Sequence, residues 1–530
     1  MLSLSIFVLS ASLVFPYRPA IALPQRWPIR YSNSSTGVSP QDRANAVKVV
    51  FETAWDGYYK YAFPNDELYP VNNSFGNSRN GWGASAVDAI TTAILMQNGT
   101  IVDEILAHIP EVDFGVSYHD EIVSVFETTI RYLGGMLSAY DLLTGPFSGL
   151  ASNSSQVDAL LSQSINLANA LSYAFETPTG VPTNNLIFGN RSDDGSETNG
   201  IATIGTLVLE WTRLSDLTGN TTYAELAQRA ESYLLEPMSA PGVNGEPWPG
   251  LVGTDVNITT GQFTDGVGGW NGGGDSFYEY LIKAHVYDST RFSEYKDRWV
   301  LAAQSTMDYL GSHPSSRPDI TFIAAYNETR LKYDFSHLGC FAGGNFILGG
   351  QLLNNTMMTT FGLEVTAGCH ETYVSTVTGI GPEDFSWTVT GGNSSAVPAN
   401  QSDFYDANGF YITDSSYELR PEVIESYYYA YRATNDSKYQ DWTWDAIQAI
   451  NATTRVNSGY SEIADVDAAG GGGFIGWQDS FLFAEVLKYS YLIFTAGGPD
   501  EQFQVQGPGS MQGWVFNTEA HPLKVAGPQV

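Results

Sequence analysis

Residues 119–140 read HDEIVSVFETTIRYLGGMLSAY and show the helical pattern that recurs along the chain. Six large side chains follow one another at steps of three or four residues, as on the buried face of an amphipathic helix: Ile122, Phe126, Ile130, Leu133, Leu137 and Tyr140. The neighbouring face carries Glu127 and Arg131, whose spacing of four predicts an ion pair. An ordinary surface pair is one interpretation. The other is a functional pair, because Gly134 and Ser138 leave room for a ligand or a neighbouring backbone.

The same periodicity extends outward in both directions from this segment. Helices are predicted near residues 40–62, 84–108, 120–143, 155–174, 199–217, 222–236, 275–288, 293–311, 343–361, 365–379, 421–434, 438–452 and 479–495. Loops rich in Gly, Asn, Asp and Pro separate them, with few alternating strand patterns and no clear linker. This rhythm favours one all-α domain over residues 23–530, built as a toroid or barrel of paired helices.

The composition narrows the choice of partners. The chain has 24 Lys and Arg against 57 Asp and Glu, a net charge of −33, which disfavours nucleic acid and anionic membrane surfaces as partners. Residues 1–22 resemble a signal peptide: an apolar run is followed by Ala20-Ile21-Ala22, and no later segment reaches the length of a membrane span. A secreted protein without membrane insertion is therefore expected. Several Asn-x-Ser/Thr acceptors agree with export, including Asn98, Asn153, Asn220, Asn257, Asn327, Asn393 and Asn435.

In an oxidising compartment, the only two cysteines, Cys340 and Cys369, are expected to form one disulfide.

Acids on apolar helices point to a site. Asp275 and Glu279 share one face of a predicted helix, although Asp275 is also an ordinary N-cap candidate. Glu422 and Glu425 share another helix start, next to Arg420, and Glu485 interrupts the apolar segment 478–494. A buried carboxylate needs a partner or a ligand. Together with Glu127, these residues predict a carboxylate-lined pocket of the kind that hydrolysis uses for its acid and its base.

The C-terminal stretch Trp514–Pro522, WVFNTEAHP, reads as a strand or tight hairpin that ends in polar residues. A surface turn is one interpretation. The other is that its oxygens meet a cation or a sugar at the centre of the fold. Zinc and serine-hydrolase chemistry are disfavoured, because the chain has no HExxH motif and no GxSxG elbow.

Seven strings in this order resemble the class I α-1,2-mannosidases, glycoside hydrolase family 47: VFETTIRYLGGMLSAY, GDSFYEYLIK, SHLGCF, TGIGPE, LRPEVIESYYY, FAEVLKYSYLIF and FNTEAHP. The resemblance covers nearly all of the chain after residue 22. It implies an (α/α)7 barrel plugged by a C-terminal β-hairpin, a single Ca²⁺, and inverting removal of α-1,2-linked mannose from high-mannose N-glycans. A monomer acting on these glycans and on glycoproteins is expected.

The resemblance also implies roles for individual residues. Thr518 corresponds to the calcium ligand, Glu127 to the general acid, Glu422 to the general base and Asp275 to a third essential carboxylate. Eleven positions correspond to the substrate pocket: Asp88, Arg131, Glu210, Glu279, His337, Glu383, Arg420, Glu425, Phe481, Glu485 and Glu519. Cys340 and Cys369 match the family's disulfide.

Two features bear on substrate choice. Gly273 occupies the position where single-mannose-trimming relatives carry an arginine, which implies broad trimming toward a five-mannose core. A turn glycine is the alternative interpretation of Gly273. A mannose-binding, lectin-like relative is the alternative function, although such relatives tend to lack the cysteine pair and to carry retention signals.

Overall fold

The structure is a computed structural model, and it describes residues 37–391, 396–497 and 513–528. The predicted signal peptide, residues 1–22, and the acceptor Asn393 lie outside these residues. Three short helices, 125–127, 201–205 and 402–408, and several 3-10 turns connect the longer elements. The long helices of the described residues are α1 Pro40–Tyr61, α2 Ala84–Leu95, α3 Gly99–His108, α4 Gly134–Thr144, α5 Ser154–Leu171, α6 Val208–Thr218, α7 Thr222–Leu235, α8 Asp275–Tyr287, α9 Ser293–Ser305, α10 Phe341–Leu352, α11 Thr356–Val374, α12 Glu422–Thr434, α13 Lys438–Thr453 and α14 Leu487–Phe494.

These fourteen helices of the described chain form seven pairs. Helix α1 packs on α14, and the others pair with the next helix along the chain: α2 with α3, α4 with α5, α6 with α7, α8 with α9, α10 with α11 and α12 with α13. One member of each pair also packs on its counterpart in the next pair. The contacts run from α2 through α4, α6, α8, α10 and α12 to α14, and residues 482–486 before α14 return to α2. The ring therefore closes, and the predicted (α/α)7 fold class is confirmed.

Burial distinguishes the inner helices from the outer ones. Every residue of α2 and of α14 is buried, whereas α1 and α7 bury only one face. A helix that is apolar all round belongs in a core, and an amphipathic one belongs at a surface. None of the described helices is both long and apolar enough to span a bilayer.

Two inner helices begin with a π-helical segment. Residues Thr128–Leu133 precede α4, and Leu482–Val486 precede α14. A π-helical turn accommodates one extra residue and is frequent at functional sites. Each of these segments carries a predicted site residue, Arg131 in the first and Glu485 in the second.

Short strands line the loops in eight small sheets of two to four strands. The described strands are Glu67–Tyr69, Ser74–Gly76, Val123–Ser124, Asn185–Ile187, Ser192–Asp193, Thr198–Gly200, Met238–Ser239, Asp255–Asn257, Gln262–Phe263, Val267–Gly268, Gly311–Ser312, Phe322–Ile323, Ala325–Asn327, Arg330–Lys332, Asp334–Ser336, Asp384–Ser386, Tyr411–Asp414, Arg455–Val456, Gly459–Tyr460, Trp514–Phe516 and Pro522–Lys524. The last two pair antiparallel, with Phe516 opposite Pro522, and form the predicted C-terminal hairpin. One of its strands contacts α8 and the other contacts α4, so the hairpin lies against the inner helices of the ring.

Five helix predictions are wrong in their boundaries: 84–108, 120–143, 199–217, 343–361 and 365–379. The segment 199–217 begins within the strand Thr198–Gly200 and is divided into the short helix 201–205 and α6. The helix predicted over 120–143 begins only at Val125, because Val123–Ser124 pair as a strand with 185–186 and the Ser124 hydroxyl caps the helix; Ile122 is exposed rather than part of the buried stripe. The segment 84–108 is two helices, divided where the Asn98 side chain caps α3. The break between α10 and α11 falls at 353–355, where Asn355 is the N-cap, and not at 362–364.

Candidate active site

The turn of the C-terminal hairpin, residues 517–521, is held by hydrogen bonds to the side chain of Asn517. The Asn517 side-chain oxygen accepts hydrogen bonds from the backbone N–H groups of Glu519, at 3.0 Å, and His521, at 2.7 Å. The amide nitrogen of Asn517 donates to the Ile130 carbonyl at 2.9 Å and to Glu210 at 2.8 Å. The surface-turn interpretation of this stretch is wrong, because Asn517, Glu519 and His521 are all buried.

Arg131 is the centre of a charged cluster beside this turn. Its Nε donates to Glu127 at 2.8 Å, which confirms the predicted pair, and its Nη1 bonds to Asp88 at 3.3 Å. The same Nη1 is bonded to Glu519, and the guanidinium lies 5.7 Å from the centre of the Phe481 ring. Four predicted site residues from four separate segments therefore meet around the buried guanidinium of Arg131.

The proposed acid Glu127 is held as a carboxylate. Burial alone would raise the pKa of Glu127, but the charges of Arg131 and Arg79 outweigh burial and lower this pKa below its usual value. Arg79 Nε lies 3.3 Å from Glu127 Oε2. Arg79 is not among the residues predicted from the sequence, because it lies on a loop with no helical pattern. Its carbonyl accepts a hydrogen bond from Tyr132.

The proposed base Glu422 is oriented by a histidine. His337 Nδ1 lies 2.8 Å from Glu422 Oε2, and His337 Nε2 lies 2.7 Å from the hydroxyl of Tyr373. His337 is only 1% exposed and both of its ring nitrogens are occupied. In this arrangement His337 holds Glu422 rather than presenting a nitrogen to a ligand, and Tyr373 is a partner that sequence analysis missed.

The disulfide lies behind this pair. Cys340 and Cys369 are bonded, as predicted, and join the start of α10 to α11. His337 is three residues before the first cysteine, and Tyr373 is four residues after the second. The bridge thus ties together the two segments that orient Glu422.

Asp275 begins α8 at the inner surface. The surrounding protein desolvates this carboxyl group and raises its pKa to about 7, with the charges of Glu279 and Glu422 adding to the effect. The carboxylate accepts a hydrogen bond from the N–H of Ser276 at 2.8 Å. On the next turn Glu279 pairs with Lys283, whose Nζ also lies 3.9 Å from Glu425.

The remaining acids crowd the same interior. Burial raises the pKa of Glu210 to about 8 and that of Glu425 to about 8. Burial, together with the charges of Glu519, Glu422, Glu425 and Glu279, raises the pKa of Glu485 well above its usual value. Repulsion of this kind requires these carboxyl groups to lie near one another, and the carboxylate-lined pocket stays a prediction.

Two predicted pocket residues lie at its edge. Glu383 pairs with Arg420 and accepts a hydrogen bond from the backbone N–H of Glu418 at 2.8 Å. Arg420 also donates to the Glu418 carboxylate at 2.6 Å. Burial lowers the pKa of Arg420, but the charges of Glu383 and Glu422 outweigh burial and raise this pKa. The pair formed by Glu383 and Arg420 therefore lies near the proposed base.

Two other predicted pocket residues are sealed from solvent. Asp88 and Glu210 are both 0% exposed. Asp88 lies 3.3 Å from His521 Nε2, and Glu210 accepts a hydrogen bond from Tyr280 at 2.7 Å. Both residues therefore contact the hairpin or its support, so in this arrangement they shape the site from behind.

Thr518 lies in the hairpin turn next to Tyr280, the residue that donates a hydrogen bond to Glu210. The N–H of Thr518 donates to Tyr280 at 3.2 Å, while within the described residues neither its hydroxyl nor its carbonyl oxygen has a hydrogen-bond partner. No group of three or more His, Cys, Asp or Glu residues in the described chain has the arrangement of a metal site. A hard cation that takes the two free oxygens of Thr518, with waters oriented by the surrounding carboxylates, fits this donor set.

A pH dependence of stability follows from the raised pKa values. Glu210 and Glu425 bind a proton in the folded protein up to about pH 8, but in the unfolded chain only up to about 4.5. The free energy of unfolding therefore falls as the pH rises between these values. His521, with its pKa lowered to about 4, opposes this fall below pH 6.5, and Lys488, lowered to about 7, opposes it above pH 7. Asp275, whose pKa is raised to about 7, acts in the same direction as Glu210 and Glu425. The free energy of unfolding is therefore expected to fall overall as the pH rises.

We therefore expect the Tm of chelated protein to fall by several degrees between pH 5.5 and pH 8. Differential scanning calorimetry in EDTA at constant ionic strength measures this. Glu210→Gln is expected to flatten the curve, whereas Glu176→Gln, which removes an exposed carboxylate paired with Arg191, is expected to leave its slope unchanged. A Tm that rises over this interval would contradict the assignment of the raised pKa values.

Comparison with known proteins agrees with this geometry. The sequence model described as "Glycosyl hydrolase family 47" matches residues 50–525. A relative from Aspergillus phoenicis named "Mannosyl-oligosaccharide alpha-1,2-mannosidase 1B" is 58% identical over 499 residues, covering 94% of each chain. "Mannosyl-oligosaccharide alpha-1,2-mannosidase" from Coccidioides posadasii is 57% identical over 498 residues, covering 94% of this chain and 93% of the relative. The solved structure of "alpha-1,2-mannosidase from Trichoderma reesei" superposes with a TM-score of 0.89 at 51% identity, covering 92% of this chain and all of that one.

Proposed function

We propose, from the premise that the chain belongs to glycosyl hydrolase family 47, that it is a calcium-dependent, inverting exo-α-1,2-mannosidase acting on high-mannose N-glycans. The observation that carries the proposal is the crowding of carboxylates from several inner helices around the turn of the C-terminal hairpin. The names of the relatives supply the substrate class. A secreted monomer that acts on glycans and glycoproteins is the corresponding partner assignment.

Thr518 would hold the Ca²⁺ through its hydroxyl and carbonyl oxygens, while Glu422, Glu485 and Glu519 orient the waters that complete the shell. When bound, the ion supplies a fixed contact for two neighbouring sugar hydroxyls. The surplus of carboxylates near the hairpin turn favours a dication, because each nearby acid raises the pKa of Glu485.

Glu422 acts as the general base. His337 fixes one of its oxygens through a hydrogen bond of 2.8 Å, so the other oxygen is left to accept a proton from the attacking water. Tyr373 in turn fixes the histidine. An orienting partner of this kind is the usual support of a catalytic base.

The leaving oxygen needs a proton, and Glu127 is the proposed donor. Its lowered pKa means that, in the arrangement described above, Glu127 carries little proton at neutral pH. We therefore propose that the protonated fraction of Glu127 is the active form: an intervening water gives one proton to the leaving oxygen and takes the proton of Glu127, which is left as a carboxylate paired with Arg131. Asp275, with a pKa of about 7, lies among Glu279 and Glu422 and stabilises the charge that develops at the anomeric carbon when it is ionised.

Release of free mannose from α-1,2-mannobiose tests the function. Proton NMR of the first product is expected to show β-mannose, because inversion places water on the face opposite the leaving group. An initial α-anomer would overturn the inverting mechanism. Binding of mannobiose without hydrolysis would instead support the lectin-like alternative.

Gly273 leads to a prediction about substrate range. It has a φ of 92°, and a side chain there would meet only the Thr254 methyl group, at 3.5 Å, so the space in front of α8 is open. Because position 273 has no side chain that could bind one glycan branch selectively, we expect no preference for one branch over the others. Trimming of a nine-mannose glycan is expected to pass through several isomers to the five-mannose core, as chromatography of labelled glycans over time would show.

Gly273→Arg is expected to narrow the set of products. The left-handed backbone conformation at position 273 costs a residue with a side chain about 1–2 kcal/mol of stability. The Tm of the variant is therefore measured together with its product pattern. Gly273→Ala carries the same strain without the guanidinium and is the matched control. A wild-type reaction that stops at one eight-mannose isomer at high enzyme concentration would contradict broad trimming.

A further inference from the structure

Lys488 is a buried cation that the proposed reaction does not use. It lies on α14 and is 0% exposed. Its Nζ donates a hydrogen bond of 2.6 Å to the carbonyl oxygen of Ala520. Within the described residues, its ammonium group makes no other hydrogen bond.

Ala520 is the strained residue of the hairpin turn. Its φ of 54° lies in the left-handed region, which costs a residue with a side chain roughly 1–2 kcal/mol. Thr518 lies two residues before it. A turn that relaxed at Ala520 would therefore move the hydroxyl and carbonyl oxygens of Thr518, which have no hydrogen-bond partner among the described residues.

The other anchors of the turn lie on either side of Ala520. Asn517 is bonded to Ile130, and His521 lies 3.0 Å from Thr91 Oγ1. Lys488 alone, among the described residues, bonds the carbonyl of the left-handed residue itself. Keeping an ammonium group inside a protein is costly, and burial lowers the pKa of Lys488 to about 7.

We infer that Lys488 is a positioning residue for the calcium site: its hydrogen bond holds Ala520 in the left-handed conformation and so fixes the two Thr518 oxygens in place. The inference rests on the proposed function, because it requires Thr518 to bind Ca²⁺. The charged groups that face Lys488 are Glu485, Asp88 and Glu519.

The sign of one measurement separates positioning from simple electrostatics. Lys488→Met removes both the hydrogen bond and a positive charge. Loss of a positive charge close to a cation site strengthens cation binding, whereas loss of the positioned turn weakens it. Titration of Ca²⁺ into EDTA-stripped, dialysed full-length protein by isothermal calorimetry therefore distinguishes the two effects.

The Kd for Ca²⁺ is expected to rise at least about tenfold in Lys488→Met, the size expected for losing a hydrogen bond from a charged donor. Lys488→Arg, which retains a charged donor, is expected to recover part of this affinity. Lys48→Met is the matched control, because Lys48 also donates to a backbone carbonyl, that of Met96 at 2.8 Å, but lies away from the hairpin. Its Kd is expected to equal that of wild type.

An unchanged or lower Kd in Lys488→Met, with wild type binding Ca²⁺ normally, would overturn the inference and leave the proposed function intact. If wild type itself bound no Ca²⁺, the metal assignment would fail together with the inference. If Lys488→Met did not fold, Lys488→Gln would take its place, since its shorter side chain cannot reach Ala520 in the same way. For Lys488→Gln, too, a raised Kd for Ca²⁺ would support the inference and an unchanged or lower Kd would overturn it.

Discussion

Chelation of the purified enzyme with EDTA is expected to abolish mannose release and to lower its Tm, and added Ca²⁺ is expected to restore both. The reason lies among the buried acids, where burial and then repulsion between neighbouring carboxylates raise the pKa of Glu485 and Glu425. A dication lowers this repulsion. A ligand present at a hundred times its Kd stabilises the folded state by about 2.7 kcal/mol, so the change in Tm is measurable by scanning calorimetry.

Thr518→Ala tests whether this metal lies at the hairpin. Loss of the hydroxyl is expected to weaken Ca²⁺ binding and to reduce the Tm gain on adding Ca²⁺. Thr434→Ala is the matched control, because the Thr434 hydroxyl donates to the Ala430 carbonyl at 2.7 Å and accepts from the Asp436 N–H at 3.2 Å, and neither partner belongs to the hairpin. A thoroughly metal-free sample that kept full activity would rule out the calcium assignment.

The fold could be predicted from the sequence where helices are long and periodic. Helices α1, α5, α7, α9, α12 and α13 fall where the apolar spacing predicts them. Three of the boundary errors lie where a single polar side chain caps a helix. Ser124, Asn98 and Asn355 each cap a helix with a side-chain oxygen, and this local hydrogen bond outweighs the apolar pattern that continues past it.

The acids of the site could be predicted because a carboxylate on an apolar helix is conspicuous. Glu485 is the clearest example, since it lies between Ala484 and Val486 in a segment that is otherwise mostly apolar. The resemblance to a family then assigned each of these acids its expected role. Its pocket assignment did not separate residues that line the cavity from residues behind it, such as Asp88 and Glu210.

The supporting residues could not be predicted from the sequence. Arg79, Tyr373 and Lys488 each act through one contact with a residue distant in sequence, and their own segments show no unusual pattern. A tyrosine at a helix end or a lysine in an apolar helix has many ordinary explanations. Only the packing of the ring brings them to Glu127, Glu422 and the hairpin.

The largest loss of turnover is expected from the three proposed catalytic carboxylates. Glu127→Gln, Asp275→Asn and Glu422→Gln are each expected to lower kcat by 10²–10⁴-fold, the usual contribution of an acid or base. Each substitution keeps the volume of the side chain, so the folded structure is expected to persist. Steady-state release of mannose from α-1,2-mannobiose measures kcat, and circular dichroism confirms folding.

The control for these variants is Glu176→Gln, which breaks an exposed Glu–Arg pair of 2.7 Å without touching the pocket and is expected to keep wild-type kcat. The pH profiles carry further information. Because Glu422 is fixed by His337, Glu422→Gln is expected to lose kcat at every pH, whereas a defect confined to one limb would indicate that another group replaces it. Near-wild-type turnover for Glu422→Gln would remove it from the base role and leave Asp275, whose pKa of about 7 suits proton transfer near neutral pH, as the candidate base.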